Sequence, residues 1–180
     1  MKKIILGISS SISAYKACDL IRLFTKEGAA VYTVITENAL NLITPLTLET
    51  LSGNPVYSDS FSRDRREMGH IELKDDASLF LVAPATANII GKFASGIADD
   101  LLSTTFLSVK CPVLIAPAMN PNMYGHPAVK ENIKKLKSWG IYFIEPEEGK
   151  VACGDTGYGR LAPVENIFNE SLKIIAQNPV

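Results

Sequence analysis

A three-layer α/β/α architecture on a doubly wound parallel sheet is the fold class this sequence predicts. Short, continuous apolar runs alternate along the chain with segments whose apolar residues recur at helical spacing. The runs do not alternate apolar with polar, so they read as strands buried on both faces, as a parallel sheet under two helical layers requires. Right-handed crossovers then make the sheet open and Rossmann-like. No repeat, low-complexity tract or linker interrupts the 180 residues, and 1–180 reads as one domain.

Lys3 to Ile8 is the first strand. Ser13 to Lys26 places Ala14, Ala17, Cys18, Ile21 and Phe24 on one helical face, and Gly28 stops that helix. Ala30 to Ile35 is short and β-branched, a second strand. Two helical pieces follow, split by Pro45; Gly53-Asn54-Pro55 turns the chain into a short strand ending at Tyr57. Ser78 to Ala83 is a central strand closed by Pro84, and Ala87–Ala94 and Asp99–Leu107 are helical. Pro112 to Ala116 is a second central strand, closed by Pro117. His126 caps a helix with Pro127 in its first turn, running to Trp139 before Gly140. Tyr142 to Ile144 is the last strand of the sheet, and Pro163 opens a final helix to about Ala176. Between these two elements roughly twenty residues lack a regular pattern, and loops that long in a compact domain are usually functional or disordered, the alternative here being a plain surface excursion with an incidental thiol. They include Cys153-Gly154-Asp155-Thr156-Gly157-Tyr158-Gly159-Arg160, read here as a flap that closes over something.

Composition excludes several classes. The chain is 47% hydrophobic and 21% charged with a net charge of −1, so no global field favours nucleic acid or an anionic membrane. Cys18, Cys111 and Cys153 are an odd count without metal-ligand spacing, so no metal is expected and a reducing, cytoplasmic setting suits them. The start, Met1 to Leu6, is too short for a membrane span, and no cleavage pattern follows it.

In an open α/β sheet, ligands sit beyond the carboxyl ends of the strands. The predicted strand ends therefore converge on one edge. The first loop, Gly7-Ile8-Ser9-Ser10-Ser11-Ile12-Ser13, is small and hydroxyl-rich before a helix N-terminus, where backbone N–H groups favour a phosphate. It is neither G-x-G-x-x-G nor a P-loop, and a single phosphate suits it better than a pyrophosphate. The alternative is a plain serine cap. Thr36 is either a further phosphate or ribityl contact or the cap of the next helix. Pro84-Ala85-Thr86-Ala87-Asn88 leaves room for a flat ring, with Thr86 and Asn88 at its edge, unless Thr86 is only an N-cap. In Pro117-Ala118-Met119-Asn120-Pro121-Asn122-Met123-Tyr124 the amide of Asn120 suits a carboxylate; the methionines line a cavity or fill the core. His70 is either a proton shuttle near neutrality or, as a lone histidine more often is, a satisfied structural residue.

Taken together, these stretches resemble the homo-oligomeric flavin-containing cysteine decarboxylases, from Ile4 to about Ile175. Pro84-Ala85-Thr86-Ala87-Asn88-Ile89 is similar to the family's Pro-Ala-Ser-Ala-Asn-Thr. Pro117 to Tyr124 is similar to its Pro-x-Met-Asn-x-x-Met-Trp, and Ala152-Cys153-Gly154 to its mobile clamp. Thr86 keeps the serine hydroxyl, whereas Ile89 and Tyr124 depart from the family residues. The resemblance implies FMN, with Ser9, Ser10, Ser11, Thr36, Ala85, Thr86 and Asn88 as its contacts. It implies His70, Asn120 and Cys153 as catalytic residues, with Met123 and Ala152 joining Asn120 and Cys153 at the substrate. The implied reaction decarboxylates 4′-phosphopantothenoylcysteine to 4′-phosphopantetheine in coenzyme A biosynthesis, through transient oxidation of the thiol. A trimer, or an assembly of trimers, is implied too, with His70 coming from the neighbouring subunit, and a separate synthetase as a possible partner. A peptidyl-cysteine decarboxylase and a non-catalytic FMN-binding regulatory subunit are the alternatives within the family.

Overall fold

The computed structural model describes residues 2–58, 76–150 and 154–179. Among these, six strands form one parallel sheet in the order β3-β2-β1-β4-β5-β6. They are β1 Lys3–Ile8, β2 Ala30–Ile35, β3 Val56–Tyr57, β4 Leu79–Ala85, β5 Val113–Pro117 and β6 Tyr142–Phe143. The order reverses between β1 and β4, the doubly wound arrangement predicted above.

Every residue of β4 and of β5 is buried, which explains their unbroken apolar sequence. Alternate strand residues feed two cores. Ile4, Leu6 and Ile8 pack with Leu20, Ile21 and Phe24 of α1 (Ala17–Lys26), Leu48 of α2 (Pro45–Ser52), and Ile167 and Ile174 of the last helix, Val164–Gln177. Ile5, Phe80, Val82 and Ile115 pack on the other face with Ile90 and Phe93 of α3 (Ala87–Ser95) and with Leu102 and Phe106 of α4 (Leu101–Ser108). Phe93 and Phe106 stack with ring centroids 4.0 Å apart. Gly7 lets α4 approach the sheet, since a Cβ there would lie 2.5 Å from the Leu102 side chain. No helix among the described residues is long and apolar enough to cross a membrane.

Three local expectations are corrected. The helix read from Ser13 begins as a 3-10 turn, Ile12–Lys16, and becomes α-helical only at Ala17. Strand β4 does not stop at Pro84: it continues through a cis Ala83–Pro84 bond, with a register shift between Val82 and Ala85. The Pro-bounded segment after β5 contains a short helix, α5 Pro121–Gly125, ahead of α6 Pro127–Ser138.

The largest correction concerns the flap. It contains an antiparallel pair, β7 Glu147–Lys150 and β8 Thr156–Arg160, and is followed by α7 Val164–Gln177. Its glycines hid the strands, because glycine has low strand propensity. Here they serve close approach of backbones. A Cβ on Gly149 would lie 2.8 Å from the Arg160 guanidinium, and one on Gly159 would collide with the Met119 carbonyl oxygen. The Gly159 carbonyl accepts from the Met119 N–H at 3.0 Å and moors the pair to the end of β5.

Candidate active site

A cleft of about 510 Å³ opens at the carboxyl ends of β1, β4 and β5, at the point where strand order reverses. Ser10, Ser11 and Ser13 come to it from the first loop, Thr86 from the end of β4, and Met119, Asn120 and Met123 from the β5–α5 segment. Arg160 and Leu161 close it from the base of the β7–β8 pair.

The serines are not equivalent. Ser9 is buried, and its hydroxyl donates to the Pro84 carbonyl at 2.8 Å while accepting from the Thr86 N–H at 2.9 Å. It therefore ties β1 to β4 and does not line the cleft. Ser11 caps the 3-10 turn, its Oγ accepting from Ser13 N at 3.4 Å. Ser10 is exposed at the cleft. The N–H groups of this turn are largely paired locally, Ser11 donating to the Ser9 carbonyl at 2.8 Å and Ala14 to the Ser11 carbonyl at 2.9 Å, so the loop offers the cleft chiefly its hydroxyls.

Thr86 is an N-cap as well as a wall, accepting from Ile89 N at 3.4 Å. Ala85 is fully buried, with its carbonyl accepting from Ala118 N at 2.9 Å, and it does not line the cleft. Asn88 is exposed on the first turn of α3 and is also absent from the lining. Thr36 stands beside the first loop, its N–H donating to Ile8 at 3.0 Å. It makes no side-chain cap, and its Oγ1 is buried without a hydrogen-bond partner among the described residues.

Asn120 carries the clearest geometry. Its Oδ1 accepts from the Asn122 N–H at 2.8 Å as the N-cap of α5. That bond fixes the amide, so the opposite end must present N–H donors. Those donors already hold a carboxylate: Nδ2 lies 2.7 Å from Asp155 Oδ2 in the segment leading into β8. Met123 is 47% exposed at the cleft and is no core filler. Tyr124, the departure from tryptophan, turns elsewhere and donates its hydroxyl to Glu145, which Lys137 also binds at 2.8 Å. Burial, then the Glu145 bond and charge, push the Tyr124 phenol well above its ordinary range. The Lys137 and Tyr124 bonds hold the Glu145 carboxyl below the usual carboxylate range.

Burial pushes the Cys111 thiol up to about 11 and raises that of Cys18, so neither is a thiolate at neutral pH. His126 caps α6 through Nδ1, accepting from Ala128 N at 3.2 Å. His70, Ala152 and Cys153 lie outside the described residues. Sequence reasoning missed Asp155, Lys16 and Arg160. The cue for the last two was a cation at the end of each small-residue loop; Asp155 had none, since only folding brings it to Asn120.

The donor set fits a flavin mononucleotide. Hydroxyls at the first loop suit a phosphate, and Ala118, Met119 and Leu161 give apolar walls for a flat ring; Thr36 is absent from the lining, its hydroxyl buried.

The flavoprotein family model matches residues 1–176. The coenzyme A biosynthesis bifunctional protein CoaBC of Bacillus subtilis is 48% identical over 177 residues, 98% of this chain. The chain spans 44% of the length of that relative. A solved PPC decarboxylase mutant complexed with pantothenoylaminoethenethiol superposes with a TM-score of 0.85 at 29% identity, covering 98% of this chain and 99% of that one. The FMN-dependent cysteine decarboxylase SpaF superposes with a TM-score of 0.81 at 28% identity, covering 97% of each chain.

Proposed function

This chain belongs to the flavoprotein family, and on that premise we propose that it is an FMN-dependent decarboxylase of 4′-phosphopantothenoylcysteine, yielding 4′-phosphopantetheine for coenzyme A. The observation that carries the reading is the Asn120 amide at the cleft, locked as a donor and holding the carboxylate of the exposed Asp155. A substrate carboxylate takes the place that Asp155 holds here.

The hydroxyls of Ser10, Ser11 and Ser13 hold the flavin phosphate, and Thr86 holds its polar edge, joined on the family resemblance by Thr36. FMN, when bound, supplies the two-electron sink that oxidises the cysteinyl side chain and then returns the electrons, so carbon dioxide leaves with no net redox change. Asn120 orients the carboxylate through charge-assisted N–H donation. Met119, Met123 and Leu161 set apolar surface beside it, which favours breaking the carbon–carbon bond to release neutral carbon dioxide. His70 moves a proton at the substrate during oxidation and decarboxylation, and Cys153 donates the final proton; both assignments rest on the family resemblance.

Residues 1–180 serve as one flavoprotein domain, cytoplasmic, and assembled at least as a trimer. Ile12 and Tyr15 support assembly: both line the cleft yet are 62% and 61% exposed, as walls covered by a neighbouring subunit would be. A synthetase that forms the substrate is a natural partner, given the bifunctional relatives.

The test is an absorbance spectrum of the purified protein followed by a carbon dioxide assay. Flavin bands and turnover of phosphopantothenoylcysteine are expected. Turnover of a peptide with C-terminal cysteine in its place would reassign the substrate, and a colourless protein after reconstitution with FMN would end the reading.

A further inference from the structure

The α5 segment brings two residues to the cleft, Asn120 as its N-cap and Met123 near its end, and Tyr124 follows directly. The Tyr124 N–H donates to the Asn120 carbonyl at 3.0 Å, so ring and amide belong to one turn of chain. The ring is half-buried against the core on the α3–α4 side of the sheet, with the Lys130 ammonium 5.5 Å from its centroid. Its hydroxyl donates to Oε2 of Glu145, and the other oxygen of that carboxylate accepts from Lys137 Nζ of α6 at 2.8 Å. Glu145 stands two residues before β7, and its neighbour Ile144 is fixed to the sheet, donating its N–H to the Ile115 carbonyl at 3.1 Å. One carboxylate therefore joins α5, α6 and the root of the β7–β8 pair. The depressed Glu145 carboxyl and the raised Tyr124 phenol keep one an anion and the other a neutral donor near neutrality, so the direction of the bond is fixed.

Five residues are too few to hold a helix in place by their own hydrogen bonds, so α5 takes its orientation from what grips its ends. At its start, Asp155 binds the Asn120 amide at 2.7 Å, and a Cβ on Gly157 would lie 3.0 Å from the Pro121 side chain. At its end stands the Tyr124–Glu145 bond. A substrate carboxylate that takes the place of Asp155 removes a grip at the start and leaves the one at the end. The Lys137–Glu145 pair is exposed and adds little to stability, so the consequence of this network lies in where it holds α5.

We propose that Tyr124 is a positioning residue: through Glu145 and Lys137 it ties α5 to the root of the β7–β8 pair, and so keeps the Asn120 amide aimed at the substrate carboxylate once Asp155 has been displaced. The inference deepens the decarboxylase reading and rests on it.

Steady-state kinetics on the flavin-loaded wild type, Tyr124→Phe, Glu145→Ala and the double variant test it. KM for phosphopantothenoylcysteine rises about tenfold in each variant while kcat stays within about twofold, and the double variant is no worse than either single one, because both remove the same tether. The product 4′-phosphopantetheine, which lacks the carboxylate, inhibits all four proteins alike. An unchanged KM, a loss confined to kcat, additive losses in the double variant, or equal weakening of the product overturns the proposal; the last would make Tyr124 a general support of the fold. Backbone hydrogen exchange on the same proteins reads the tether without turnover. Tyr124→Phe speeds exchange in α5 and β7–β8 together and leaves α7 at the wild-type rate, whereas faster exchange confined to α5 overturns the coupling. A wild type that binds FMN but turns over no phosphopantothenoylcysteine ends the decarboxylase reading, and the exchange pattern then decides the network by itself.

Discussion

At the residue scale, the chemistry turns on how one amide is oriented. Asparagine has two nearly indistinguishable ends, and the Asn122 N–H selects between them by claiming Oδ1. Nδ2 then lies 2.7 Å from Asp155 Oδ2, the position proposed for the substrate carboxylate. Asn120→Asp would replace that donor by a second carboxylate facing Asp155. We expect kcat/KM for the cysteinyl substrate to fall roughly a hundredfold, mainly through KM, with the flavin spectrum retained. Steady-state kinetics beside an absorbance scan check this, and wild-type kinetics would remove Asn120 from the carboxylate. Asn120 and Met123 were legible in the sequence because residue type and strand-end position both pointed to a site. The separate roles of the serines were not, since Ser9 differs from Ser10 only in facing Pro84 and Thr86.

Two elements, one at the cleft and one remote from it, give their own predictions. The β7–β8 pair is moored where the Gly159 backbone meets Met119, with no room for a Cβ. Gly159→Ala should lift the pair away, lowering kcat/KM about tenfold or more while the far-UV circular dichroism of the main sheet and helices is kept. Unchanged activity would show that the mooring is dispensable. On the opposite side of the sheet, Asp100 caps α4 through a capping box with Ser103 and binds Lys92 at 2.7 Å. Burial alone would raise the Asp100 carboxyl, but hydrogen bonds from Lys92 and Ser103 outweigh it and hold the carboxyl below its ordinary value. A depressed folded-state value means that this stabilisation is present above the unfolded carboxylate range and is lost as pH falls through the folded value. Asp100→Ala should therefore cost about 1 kcal/mol near neutrality, and the deficit relative to wild type should shrink below about pH 4. Thermal melts at pH 7 and pH 3 read the difference; a deficit that grows in acid would contradict the sign.

At the scale of the whole molecule, the cleft looks unfinished in a single chain. Apolar Ile12, Tyr15 and Met123 stand at it with 62%, 61% and 47% of their surfaces exposed. Surfaces of this kind mark interaction sites. Tyr15→Glu would place a charge on the proposed subunit contact. Light scattering should then report a smaller assembly and the absorbance scan a reduced flavin content. A variant of full wild-type mass and colour would place the contact elsewhere.

The sequence by itself determined the layer architecture, the edge of the sheet where chemistry sits, and the family. Those properties follow from local pattern: unbroken apolar runs demand burial on both faces, and small polar residues directly after them can only be strand-end loops. Glycine-rich β7 and β8 escaped that reading because close backbone approach, not side-chain periodicity, places them. Only the tertiary structure decided which serine is buried between strands and which stands at the cleft, set Asp155 against Asn120 across 35 positions, and joined Lys16 of the first loop to Arg160 of the last strand around one opening. Those relations cross long stretches of chain and depend on distances of a few ångströms, which no local pattern encodes.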